Sequence, residues 1–94
     1  MEEERIMTLH PQGKAGVNIL KRRYDQMAEY ILKTIAENQP VTFKDLMLMS
    51  MDDLTGVFDG KIKWYLTTVK LDLEARGMIR RIPNKSPQQL ILCK

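Results

Sequence analysis

The sequence contains one cysteine, Cys93, and one histidine, His10. A single cysteine closes no internal disulfide, so the crosslinks that hold many small secreted domains together are excluded. The two residues stand far apart in the chain. A metal needs three or four clustered ligands, so no metal site is expected. The same scarcity leaves no nucleophile with a base beside it, and no spacing of carboxylates suggests an acid–base pair. No enzyme and no cofactor is therefore expected. No apolar run reaches the roughly 18–20 residues of a membrane-spanning helix. The Met-Glu-Glu-Glu start is acidic where a secretory signal is basic and then apolar, so a cytoplasmic protein without a membrane partner is expected. The string Gly13-Lys14-Ala15 lacks the earlier glycine and the following Ser or Thr of a phosphate-binding loop. Internal repeats and low-complexity tracts are also missing.

What is present suits one small globular domain. A chain of 94 residues buries only about 60–65% of its unfolded surface, too little to spare for a deep enzyme pocket. At 44% hydrophobic and 29% charged it has the composition of a folded protein, not of a disordered one. Its seven methionines, flexible gap-fillers, suggest a soft core. The net charge of +3 is unevenly spread. Residues 1–60 carry seven Lys/Arg against ten Asp/Glu, or −3; residues 61–94 carry eight against two, or +6, with Lys94 among the cations. Such a split points to a polyanionic partner for the C-terminal segment.

Along the chain, residues 1–18 read as an arm. Arg5–Leu9 has the composition of a short strand, His10-Pro11 breaks it, and Gly13 and Gly16 make the next stretch a loop. A domain over 19–94 follows. Tyr24, Met27, Ala28, Ile31 and Ile35 recur at spacings of three and four, the stripe of an amphipathic helix that starts near an Asn18 cap and ends near Asn38, before Pro40. Thr42-Phe-Lys-Asp45 is the start signal of a second helix, with Thr42 as cap. That helix ends between Met49 and Leu54. A third helix, 59–76, is expected from an Asp59 cap, the stripe Ile62, Leu66, Val69 and Leu73, and the terminating Gly77. The period then changes. Met78–Ile82 and Gln88–Cys93 are two β-rich runs about a turn at Pro83–Pro87, hence an antiparallel hairpin. The fold class is α+β, mainly α: three helices, a C-terminal hairpin and a short N-terminal strand.

The segment Val69 to Pro83, VKLDLEARGMIRRIP, carries a resemblance. Its run Leu73, Glu74, Ala75, Arg76, Gly77, Met78, Ile79, Arg80 is similar to the end of the recognition helix in the winged helix-turn-helix superfamily. The helix order extends that likeness over residues 19–94. The arm segment Thr8–Ile19 resembles the leader of an uncharacterised family of small bacterial winged-helix proteins. One departure is Lys70, where such regulators often carry an apolar residue, seven before the turn glycine. The resemblance implies double-stranded DNA binding by a small transcriptional regulator. Its third helix would lie in the major groove and its hairpin, the wing, against the backbone. Lys61, Lys63, Trp64, Thr67, Thr68 and Lys70 on the helix, and Arg80, Arg81 and Lys85 on the wing, are the expected contacts. Arg80 and Arg81 point to opposite sides of a strand, and one of them has Asp72 or Glu74 as an alternative partner. Thr67 and Thr68 have local backbone groups as theirs. The rival reading is a winged-helix protein-interaction module. Asp45, Asp52, Asp53, Asp59 and Asp72 would then repel phosphate, while an exposed Trp64 and Leu71 would meet a protein. Under either reading a homodimer would use the arm or the first helix.

Overall fold

The apolar stripe of the first helix does what its spacing predicts. In a computed structural model that describes residues 3–93, α1 spans Lys21–Asn38 and buries Tyr24, Met27, Ala28, Ile31 and Ile35, with Thr34 between them. Lys94, counted among the C-terminal cations, lies outside the described residues. The start differs from the expected Asn18 cap. Residues Asn18–Leu20 form a strand, β2, paired antiparallel with β1, Arg5–Met7. The Asn18 side chain is occupied across that pair, accepting a hydrogen bond from Arg5 Nε at 2.6 Å. The arm is therefore a β-hairpin, and α1 begins directly from its second strand. The Lys21 N–H is satisfied by the Glu4 carbonyl at 2.9 Å.

The helix ends at Asn38, two residues before Pro40. Val41–Thr42 form β3, and α2 follows at once over Phe43–Leu54. Thr42 caps it as its position suggests: the hydroxyl accepts the Asp45 N–H at 3.0 Å. After a turn containing Gly56, α3 runs over Ile62–Ala75. Of the expected stripe, Leu66, Val69 and Leu73 are fully buried and Ile62, in the first turn, is half-buried against the core. The helix closes in a Schellman motif. Gly77 has a φ of 75°, its N–H bonds the Glu74 carbonyl, and the Met78 N–H reaches back to the Leu73 carbonyl at 2.9 Å.

Ile79–Arg81 and Gln89–Leu92 then form β4 and β5, the antiparallel hairpin expected at the C-terminus. β3 joins β5 on its other edge, so the sheet order is β3-β5-β4. Val41 lies opposite Leu90, and Ile79 opposite Leu92. Val41, Ile79 and Leu90 deliver the sheet's apolar contribution to a core shared with Met27, Ile31 and Ile35 of α1, Leu46 of α2 and Leu66 of α3. Met27 sits at its centre while Met47 and Met49 pack at its margin, which is where flexible thioethers fill gaps. The whole is α+β, mainly helical. No helix among the described residues is long and apolar enough to cross a membrane.

Candidate nucleic-acid interface

The face of α3 turned away from the core is set by its own periodicity. With Leu66, Val69 and Leu73 inward, Lys63, Trp64 and Thr67 are exposed, and so is Lys61 just before the first turn. Lys61 is the cap residue, with no side-chain cap bond, in place of the expected Asp59. Asp59 is committed elsewhere. Arg22 Nη1 donates to its carboxylate at 2.9 Å and Arg23 Nε at 3.1 Å. Hydrogen bonds from Arg23 first, then Arg22, hold this carboxyl below its ordinary range. Thr67 is exposed, but its hydroxyl donates to the Lys63 carbonyl at 2.9 Å, a local bond that costs it freedom to read a base. Thr68 is half-buried.

Lys70 does not belong to the exposed set. Its side chain is 4% exposed, with Nζ 3.0 Å from the Glu74 carboxylate and 4.9 Å from the centroid of the Phe43 ring. Burial pushes its pKa down, against the pull of Glu74. The helix phase places residue 70 against α2, and the alkyl stem fills a position suited to an apolar side chain. Lys70 is therefore removed from the candidate contacts. Arg81 is also engaged: its Nε donates to Glu74 at 2.7 Å, which fastens the hairpin to α3. Arg80, on the opposite side of β4, and Lys85, in the turn beyond it, are exposed.

Two of the acids near α3, Asp59 and Asp72, are paired with arginines. Asp72 has no exposed surface and takes hydrogen bonds from the Leu9 N–H at 2.8 Å, from Arg76 Nε at 2.8 Å and from the Tyr24 hydroxyl. Asp53 accepts the Tyr30 hydroxyl at 2.8 Å. Of the five acids that would have repelled phosphate, Asp72, Asp59 and Asp53 thus have partners.

Trp64 stands 45% exposed, edge-on to Tyr65 with centroids 4.9 Å apart. Leu71, expected on the surface beside it, is half-buried. The arm loop accounts for this: Leu9, His10, Ala15 and Val17 line one side of a cleft whose other side is Trp64, Thr68 and Leu71. His10 is the turn residue its Pro11 neighbour suggests, with Nδ1 accepting the Gln12 N–H at 3.1 Å. The exposed cation Lys14, for which the sequence offers no local signal, sits one residue before the Ala15 that meets this cleft. Only the docking of the arm on α3, a contact across more than fifty residues, brings it near. Among the described residues no group of His, Cys, Asp or Glu side chains is placed to hold a metal.

A three-helix α+β domain with a C-terminal hairpin, presenting a basic strip of its third helix beside that hairpin, is the class of protein these features define. The chain belongs to a family of unknown function, DUF6958, whose model matches residues 5–90. No curated protein and no solved structure matches it.

Proposed function

We propose that this protein is a winged-helix binder of double-stranded DNA, a small bacterial transcriptional regulator working in the cytoplasm. The exposed strip of α3 enters the major groove, and the hairpin acts as a wing along the backbone. One observation carries this reading: Lys61 at the start of α3, Lys63 on it, and Arg80 and Lys85 on the hairpin are exposed, while Asp59 and Asp72 are paired with arginines. A duplex presents about one negative charge per 1.7 Å of its axis, so a strip of unpaired cations is what it requires. Lys63 and Arg80 are the residues on which binding rests most, with Lys61 and Lys85 adding phosphate contacts. Trp64 and Thr68 supply apolar and hydroxyl surface at the groove edge.

The test is a binding selection of the full chain on random duplex DNA at low salt, beside a Lys63→Ala/Arg80→Ala/Lys85→Ala variant. Enrichment of a motif by the parent and not by the variant is expected. Absence of any duplex binding at about 50 mM salt overturns the proposal. A second reading, a protein-interaction module, rests on Trp64, whose exposure is high for an indole. It is favoured if a protein partner is captured and lost on Trp64→Ala while Arg80→Ala retains it.

A further inference from the structure

The cleft between the arm loop and α3 has a volume of about 190 Å3 and mostly apolar walls. Leu9, Ala15 and Val17 form one wall and Trp64 and Leu71 the other. The arm wall is fixed. Thr8 and Val17 bond each other twice, N–H to carbonyl at 2.8 Å and N–H to hydroxyl at 2.9 Å, and the Leu9 N–H is held by Asp72. Gly16 closes the loop so tightly that a Cβ there would lie 1.7 Å from the Thr8 carbonyl oxygen. The cleft is thus built before any ligand arrives.

The cleft is open to solvent on one side, and its volume suits a small group. An apolar cavity of about 150 Å3 accepts benzene, whereas drug-sized ligands need roughly 300–1,000 Å3. One aromatic ring with a small substituent is the group that fits. Three polar side chains line the same space, Thr8, His10 and Thr68, and the Thr8 hydroxyl is already engaged by the Val17 N–H. Because His10 Nδ1 accepts the Gln12 N–H, the neutral ring carries its proton on Nε2 and offers a donor there. The Thr68 hydroxyl both donates and accepts. A phenolic hydroxyl complements that pair, and a bare hydrocarbon does not.

We propose that this cleft binds a single-ring aromatic molecule carrying one polar substituent, of the phenol type, and that its occupancy regulates the face of α3. The site stands on geometry alone; the regulation rests on the DNA-binding reading above. The link is Trp64, which is both a wall of the cleft and an edge of the exposed strip. Because the arm wall is already fixed, a ring stacked on that indole acts on the strip by fixing the rotamer that Trp64 presents there.

The experiment is a titration of the full chain with para-cresol and with toluene, following amide correlations of Gly16 and Thr68 and the indole N–H of Trp64, the single tryptophan. Saturable shifts at these three signals are expected with para-cresol, half-saturating at about 1 mM or below, and severalfold weaker with toluene. Leu71→Trp, which fills the cleft, weakens para-cresol binding at least about tenfold. If Leu71→Trp does not fold, Thr68→Val removes the hydroxyl at similar volume and narrows the preference of para-cresol over toluene. Shifts that fail to saturate by about 10 mM, or that centre on the separate hollow beside Leu48 and Met49, overturn the site. Duplex affinity is then measured with and without saturating para-cresol. A change of at least about threefold supports regulation, and no change overturns it. Failure to bind duplex at all overturns the DNA reading and its regulation, while the cleft stands or falls on the titration alone.

Discussion

Asp72 joins three parts of the chain through one carboxylate. The arm arrives as the Leu9 N–H, α1 as the Tyr24 hydroxyl and the end of α3 as Arg76. Truncating such a buried acceptor strands every donor around it. Asp72→Ala is expected to lower stability by about 3 kcal/mol in urea unfolding, and Tyr24→Phe by only about 1 kcal/mol. Tyr24 also gives the fold an alkaline limit. Burial, and then the hydrogen bond to Asp72, push its phenol from 10.0 up to about 12. Below pH 10 the phenol is protonated in both the folded and the unfolded chain. Between 10 and 12 the unfolded chain releases this proton and the folded one keeps it, so stability falls as pH rises through that window. Tyr30, also raised to about 12 by burial and by Asp53, adds to the slope. Unfolding free energy measured against pH should therefore decline more gently for Tyr24→Phe than for the parent; equal slopes would show that Tyr24 is not the group. At this scale the sequence was informative about type and poor about commitment. That one of Arg80 and Arg81 had Asp72 or Glu74 as an alternative to DNA was readable from their signs; that the pair is Arg81 with Glu74 was not. That Lys70 lies inside was signalled by its phase, beside Val69 on the Leu66–Leu73 stripe, but its charge argued for the surface, and the partners that let it be buried, Glu74 and the Phe43 ring, show only once α2 is packed over α3.

Elements whose signals are local were legible, and those whose partners are distant were not. Thr42 caps α2 and Gly77 ends α3 through bonds that span only a few residues, so composition announces them. β3 is two residues long, and its strand character comes from pairing with Leu90, nearly fifty residues on. β2 was hidden in the same way: Asn18 reads as a helix cap until Arg5 is placed across from it. Asp59 reads as a cap for α3 until Arg22 and Arg23 of α1 claim it. The arm's docking on α3, and with it the cleft at Trp64, depends on Leu9 meeting Asp72 and has no local signature. A test of the local kind is Gly77→Ala. The positive φ has open space around it, so the cost is backbone strain alone, about 1–2 kcal/mol by urea unfolding. Gly16→Ala is expected to act differently. Its Cβ meets backbone, so the arm must open, and the Leu9 N–H should lose its protection from hydrogen exchange while the α1 core amides keep theirs.

For the whole molecule the useful quantity is how much of the C-terminal charge remains available after folding. Of the cations beyond residue 60, Lys70, Arg76 and Arg81 are bound to Glu74 or Asp72. Among the described residues that leaves Lys61, Lys63, Arg80 and Lys85, all exposed. If each reaches one phosphate, the logarithm of duplex affinity should fall by about 3–4 per logarithmic unit of salt. Counting all the cations in the segment would give nearly twice that, so the measured slope distinguishes the folded arrangement from a simple basic tail. Single substitutions sharpen the distinction. Lys63→Ala and Arg80→Ala should each reduce the slope by about 0.9, since each removes one released counterion. Lys70→Met should leave it unchanged, because its ammonium is already paired inside the protein; Glu74 keeps Arg81 as a partner, so the acid is not stranded. A Lys70→Met slope reduced as much as that of Lys63→Ala would mean that the ammonium leaves Glu74 to meet DNA, and that α3 binds by a face other than Lys61, Lys63 and Thr67.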